Sequence, residues 1–308
     1  MAPSPHASRT GMPSPPRRTA PGPRPPSARP PSARPDRTIV HGVDFTSAPT
    51  RAKPIAWLEC ELDGGTLRAG ALRELRSFAD FEAELARPGP WIAGLDLPFA
   101  QSRTFLENAG WPTTWRGHVE HAAALGRAGF REALDAYRAP RAPGDREHRR
   151  ATDVAAGSIS PQKLYGVPVG LMFVEGAPRL LASGATIAGL HAGDPERIAV
   201  EAYPGALARA LVGRRSYKSD TRSRQTPALA ETRRAILDRL REGALSKTHG
   251  VTVEAPDALA GDPRGDALDA LLSAVQAAWA WTRRDEGFGM PPGTDPLEGW
   301  IAEPTLAR

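Results

Sequence analysis

Three carboxylates stand at the ends of apolar runs. Asp44 closes Ile-Val-His-Gly-Val at 39–43, Asp96 closes Trp-Ile-Ala-Gly-Leu at 91–95, and Glu201 follows Ile-Ala-Val at 198–200. Two more, Asp266 and Asp269, open an apolar stretch at about 265–284, and their i, i+3 spacing puts both on one face of a first helical turn. Each has an ordinary structural explanation when taken alone. Asp is favoured at helix N-termini by capping and by the macrodipole. Asp96 before Leu97-Pro98 suits a turn, Asp44 can cap its own loop, and Glu201 can pair with an arginine. The combination points elsewhere, because ligands of open α/β sheets bind beyond the carboxyl ends of the strands. Two carboxylates ~4 Å apart repel by about 4 kcal/mol at an effective dielectric near 20. A converging set therefore calls for a cation, and all-oxygen donors suit Mg²⁺ or Mn²⁺. One or two such ions activate water and stabilise the leaving oxygen of a phosphodiester.

A polyanionic substrate requires basic groups around such a site. Residues 209–224 contain Arg209, Arg214, Arg215, Lys218, Arg222 and Arg224, opposed only by Asp220. Arg and Lys in these positions suit phosphate contacts, with Lys218 expected to steady the scissile phosphate, and the alternative is a solvated surface. Arg138, Arg141, Arg146, Arg149 and Arg150 offer a second basic stretch, diluted by Asp145 and Glu147. Trp111 and Trp115, near Arg103 and Arg116, either stack on bases or pack a loop onto the core. His118, His121 and His148 lack the close spacing of a zinc site. Cys60 lies within a strand pattern and reads as core.

The elements that must position these groups follow from periodicity and punctuation. A short β run begins at Thr38 and ends at Asp44. Residues 54–62 form a second strand, Asp63-Gly64-Gly65 a hairpin turn, and 66–75 a third strand. Ser77 caps a helix through Phe78, Phe81 and Leu85, which Pro88-Gly89-Pro90 stops. A buried strand at 91–95 precedes Asp96, and helical segments fill an insertion at about 100–190. A strand at 197–202 leads to helices near 204–212 and 226–242. The last helix carries Leu268, Leu271, Leu272, Val275 and Trp279 on its apolar face. This is a mixed α/β sheet flanked by helices, in one domain over 38–308.

Composition sets limits. The 308 residues include 40 Lys and Arg against 35 Asp and Glu. The excess sits in residues 1–37, which hold seven Arg, no Lys and one acidic residue, Asp36, with Pro-Pro-Ser-Ala-Arg occurring twice in succession. That stretch is expected to be disordered, either a nucleic-acid-touching arm or an unstructured extension with Met12 or a later residue as the true start. One cysteine excludes an internal disulfide framework. No apolar run approaches a membrane span and no apolar region follows Arg17-Arg18, so a cytoplasmic location is expected.

Four motifs in order carry a family resemblance: Gly42-Val43-Asp44-Phe45-Thr46-Ser47, Gly94-Leu95-Asp96-Leu97-Pro98-Phe99, Glu201-Ala202-Tyr203-Pro204-Gly205 and Gly265-Asp266-Ala267-Leu268-Asp269-Ala270. They resemble the domain of unknown function 429 family, regarded as predicted nucleases of the RNase H-like fold. Gly166-Val167-Pro168-Val169-Gly170, Phe173-Val174-Glu175-Gly176-Ala177-Pro178 and Tyr217-Lys218-Ser219-Asp220 are similar to one branch of it. The resemblance covers roughly 38–303. It implies a five-stranded mixed sheet with the second strand antiparallel. It also implies a metal site of Asp44, Asp96, Asp266 and Asp269, with Glu201 as a further catalytic candidate. RuvC-type enzymes place a Glu where this chain has Asp96. The expected function is metal-dependent hydrolysis of DNA or RNA, with Arg103, Arg214, Arg215, Lys218 and Arg222 holding substrate. The alternatives are a non-catalytic nucleic-acid-binding or scaffold protein on the same fold and, third, an actin-like or sugar-kinase-type phosphotransferase. Asp44-Phe45-Thr46-Ser47 is similar to that group's first phosphate loop, but a second Gly-rich loop and a Gly-Gly adenosine motif are missing.

Overall fold

The structure, a computed structural model, describes residue 1 and residues 37–306. Apart from Met1 and Arg37, the Pro/Arg-rich stretch lies outside the described residues. β1 (Arg37–Asp44) starts one residue earlier than its apolar pattern, because Arg37 still pairs in register with Asp63. β2 (Ile55–Asp63) and β3 (Thr66–Leu75) form the hairpin, turned by Gly64 and Gly65 at φ +54 and +85, a region that suits glycine. α1 (Phe78–Leu85) is capped by Ser77, whose hydroxyl accepts from the Asp80 N–H. β4 (Trp91–Asp96) follows. Four helices come next: α2 (Arg103–Ala109), α3 (Trp115–Arg138), α4 (Ala151–Ala156) and α5 (Val169–Ser183). Then come β5 (Ala185–Ile187), β6 (Asp194–Glu201), α6 (Pro204–Val212), α7 (Pro227–Arg241), α8 (Ser246–His249), β7 (Thr252–Glu254) and α9 (Asp266–Thr282).

The strands make one seven-stranded sheet in the order β5-β6-β4-β1-β2-β3-β7. β2 runs antiparallel to both neighbours, while β1 with β4, β4 with β6, β5 with β6 and β3 with β7 are parallel. The expected count of five is thus short by two. β5 and β7 extend the edges by three residues each, too few for an alternating pattern to show in the sequence.

The central strands are buried on both faces. Val40, Leu58, Ile92 and Val200 pack with α6, α7 and α9. Val43, Trp57, Leu95 and Ala199 face the other way, onto α1, α2, α3 and α5. The helices between β4 and β6 are therefore part of the main core. Among them Trp111 and Trp115 are buried, and Trp115 Nε1 donates to the Phe99 carbonyl at 2.9 Å. They hold the loop after β4, and the base-stacking option is overturned.

α9 is buried on all sides from Asp266 to Ala280, as befits a helix enclosed in a core. Its fit to the sheet depends on two glycines. Gly42 and Gly94 are register partners on adjacent strands. A Cβ on Gly42 would lie 1.8 Å from the Ala270 carbonyl oxygen, and one on Gly94 would lie 2.3 Å from that of Ser273. The helix backbone thus rests directly on the strand backbones.

A segment after α9 ties distant parts together. Arg103 on α2 is bound by Asp295 at 2.6 and 2.7 Å, and Glu298 accepts the N–H groups of Arg103 and Ala151. Ile301 bridges Glu201 of β6 and donates to Thr152. Glu303 meets Gln276 of α9 and His249 of α8. No helix among the described residues is long and apolar enough to cross a membrane.

Adding a methyl group at Gly42 or Gly94 must push α9 off the sheet. Gly42→Ala and Gly94→Ala should each destabilise the protein by about 3 kcal/mol, the upper range for overpacking, read from urea unfolding. A loss below the scatter of the measurement would show that the helix can shift freely.

Candidate metal centre and cleft

Gly42-Val43-Asp44 and Gly94-Leu95-Asp96 repeat one pattern on neighbouring parallel strands, and Asp44 and Asp96 are register partners. Side chains two apart on a strand share a face. Both aspartates therefore project on the side that the glycine pair opens to α9, at the carboxyl ends of β1 and β4. The N-terminus of α9 arrives at the same place. Asp262 accepts the Asp266 N–H at 2.9 Å, and Gly265 enters the helix at φ +79. Asp269, fully buried, then points between the strand ends. One carboxylate oxygen each of Asp44, Asp96 and Asp269 lies within 4.8 Å of the others.

Asp266 stands beside this trio and not in it. Its Oδ2 is buried, accepts no hydrogen bond and lies 3.3 Å from Arg264 Nε. The four-aspartate ligand set expected from the sequence thus reduces to three that meet, with the fourth at the margin. Glu201 departs further. It pairs in register with Leu95, so it faces the opposite side of the sheet from Asp96. There it accepts from Arg150 Nη1 at 2.7 Å and from the Phe99 N–H at 3.0 Å. Arg150 also grips Asp153 through two 2.9 Å bonds. Burial opposes the charge on Arg150, but Glu201 and Asp153 more than offset it. Glu201 therefore anchors α4 to β6 and takes no place in the carboxylate cluster. Arg150, read from sequence only as one member of a basic stretch, is its buried partner.

The trio is electrostatically loaded. Burial, with Asp269 and Glu201 adding repulsion, pushes the Asp96 carboxyl up to about 7, and Asp44 is raised well above the usual range by the same burial and by its three acidic neighbours. Burial also lifts Asp266 to about 6, with Asp262 adding to it. Lys218 opposes this. Its Nζ contacts Asp269 Oδ2, and although burial disfavours its charge, the surrounding carboxylates hold it protonated. Tyr217 Oη donates to Asp269 Oδ1 at 2.6 Å, and burial keeps the phenol protonated. Tyr217 is named in the sequence only as part of the Tyr217-Lys218-Ser219-Asp220 motif, with no role of its own. A tyrosine in a loop carries no periodic signal.

A cleft of about 820 Å³ opens on two of the trio, Asp96 and Asp269, and is lined also by Lys218, Arg209, Arg214 and Arg215 among others. Two of the expected substrate-holding arginines thus face it, Arg214 and Arg215. Arg222 is exposed on a one-turn 3₁₀ helix and does not line it. Arg103 is engaged by Asp295 and Glu107, away from the cleft. The earlier basic stretch is also largely paired, Arg138 with Glu147 and Arg141 with Asp145. Gly64-Gly65 turns the hairpin at the Arg37 end of β1, opposite to Asp44. Cys60 is buried, with its thiol pushed up to about 12 by burial.

Three oxygen donors without nitrogen or sulfur fit a hard divalent cation such as Mg²⁺ or Mn²⁺, and the unbonded Asp266 Oδ2 adds a fourth oxygen nearby. The raised carboxyls also carry a stability signature. A carboxyl with a folded pKa of about 7 stabilises the fold fully below the unfolded value near 4, and this stability is lost as pH rises through 7. In chelator, stability should fall between pH 5 and 8, and Asp96→Asn should remove roughly 2–4 kcal/mol of that fall. Mn²⁺ should raise the melting temperature more at pH 8 than at pH 5.5. Identical pH profiles for the two proteins would contradict the crowded-carboxylate description.

No curated protein and no solved structure gives a match. A family model described as Protein of unknown function (DUF429) matches residues 42–294, which spans both Gly-x-Asp strands, the Glu201 motif, Lys218 and α9. The chain belongs to this family.

Proposed function

We propose that this protein hydrolyses phosphodiester bonds of nucleic acid at a divalent cation held by Asp44, Asp96 and Asp269. The observation that carries the reading is the meeting of three carboxylate oxygens within 4.8 Å, two of them from residues that line a cleft shared with Lys218, Arg214 and Arg215. Support for an RNase H-like origin comes from the five central strands, which run β6-β4-β1-β2-β3 with β2 reversed. When bound, a Mg²⁺ or Mn²⁺ ion supplies charge for the phosphoryl oxygens and acidifies a neighbouring water.

The chain's own groups do the rest. Asp44 and Asp96, fixed on paired strand ends, must lose their protons to hold the cation. Metal uptake should therefore release protons near neutral pH. Asp269 is oriented by the Tyr217 hydroxyl. Lys218 neutralises Asp269, and with a cation held by the carboxylates its ammonium would be available to a phosphate oxygen. Arg214 and Arg215 hold flanking phosphates, which makes binding fall steeply with salt.

A second reading has its own observation. The Lys218 ammonium on Asp269 already supplies internal counter-charge, so a cluster that never takes up metal would leave a nucleic-acid-binding protein without turnover. The two readings separate on one experiment. Turnover of a panel of single-stranded, duplex and hybrid DNA and RNA is measured with Mn²⁺ and with chelator. Cleavage should require Mn²⁺ and fall by orders of magnitude in Asp44→Asn with the fold intact by circular dichroism. Calorimetry should show Mn²⁺ binding to the wild type and none to Asp44→Asn. Binding of nucleic acid without Mn²⁺ uptake or cleavage would favour the second reading.

A further inference from the structure

Part of the cleft lining is apolar and uncovered. Among residues 37–306, five large hydrophobic side chains are exposed, and four of them, Val154, Ile159, Tyr165 and Val167, fall within fourteen residues of sequence. Val154, Ile159 and Val167 line the cleft together with Met172. Val154 and Val167 are 56% and 59% exposed, an unusual concentration beside a charged site. Their position is fixed. Val154 belongs to α4, which Arg150 and Asp153 fasten to Glu201 at the end of β6, one strand from Asp96. The Val154 end of the shelf is therefore tied to the strand next to the one that carries Asp96.

We infer that this shelf receives the base of an unpaired nucleotide whose phosphate lies toward Lys218, Arg214 and Arg215, so that the substrate is single-stranded nucleic acid. The inference rests on the hydrolytic reading above and adds the substrate class. A base in a duplex has its faces in the stack and its edge in the pair, so it has no apolar face to offer an aliphatic wall. An unpaired base has both faces free. The apolar and the basic lining residues of the cleft match the two halves of such a nucleotide, an apolar plane and an anion. The volume, about 820 Å³, is that of a small-ligand pocket and not of a groove that accepts a double helix.

The test uses fluorescence anisotropy of the full chain in Ca²⁺ with three probes: a 12-nucleotide DNA strand, the same strand with abasic central positions, and its duplex. The intact strand should bind roughly tenfold more tightly than the other two, the size of one lost base contact. Val154→Ser with Val167→Ser, both at exposed positions that tolerate a polar residue, should weaken the intact strand several-fold and leave the abasic strand within twofold. Equal affinity for intact and abasic strands, or equal weakening of both by the serines, overturns the shelf. It would leave the apolar wall to a protein partner. Cleavage of the same probes in Mn²⁺ is read in parallel. Mn²⁺-dependent cleavage that ignores abasic sites sinks the shelf and spares the hydrolysis. Base-dependent binding with no cleavage in Mn²⁺ sinks the hydrolysis instead.

Discussion

The direct seating of α9 on β1 and β4 is the constraint from which the rest of the molecule follows. A helix normally stands off a sheet by the thickness of two side-chain layers. Here Gly42 and Gly94 remove one layer at the point of contact, and the Ala270 and Ser273 carbonyls take its place. The separation matters because aspartate is short. Asp269 reaches Asp44 and Asp96 only because its helix has come in close, and a longer acid would be needed if it had not. The glycine that permits the approach and the aspartate that benefits are two residues apart on the same strand face, on each of two strands.

Proximity of this kind carries an electrostatic cost, which the surroundings limit but do not abolish. Lys218 gives one positive charge to Asp269, and Tyr217 gives a hydrogen bond. Asp44 and Asp96 receive no comparable partner, and their carboxyls are raised as a result. On the other face of the sheet the buried Arg150 pairs directly with both Asp153 and Glu201. The contrast between a compensated cluster on one face of the sheet and an uncompensated one on the other separates scaffold from site.

Much of this was legible in the sequence because it is local. The hairpin, the Ser77 cap, the strand ends and the last helix each carry their signal within a few residues. Convergence of Asp44 with Asp96 could be anticipated from the repeated Gly-x-Asp, which marks equivalent positions on parallel strands. The misreadings concern which way a residue faces. Glu201 ends its strand as Asp96 ends β4, but register turns it to the opposite side, and register is a property of two strands. Asp266 shares a turn with Asp269, yet a rotation of about 300° over three residues is enough to leave it at Arg264. Arg103 and Arg138 carry charge that any composition count registers, while their acidic partners lie in segments distant or irregular. Trp111 and Trp115 were open to two uses until burial decided between them.

The segment from Asp295 to Glu303 is among the last parts of the molecule to be synthesised. It fastens α2, α4, β6, α8 and α9 through Arg103, Ala151, Glu201, His249 and Gln276. The ribosome makes it after every element it joins. A nascent chain that has exposed all its strands can already pair Arg150 with Glu201, but it still lacks the contacts of Glu298 and Ile301 with Ala151 and Thr152 at the start of α4. The start of α4 accordingly gains its last hydrogen bonds only when this stretch has left the exit tunnel, and a chain stalled before that point holds its aspartates with this helix fastened through Arg150 alone.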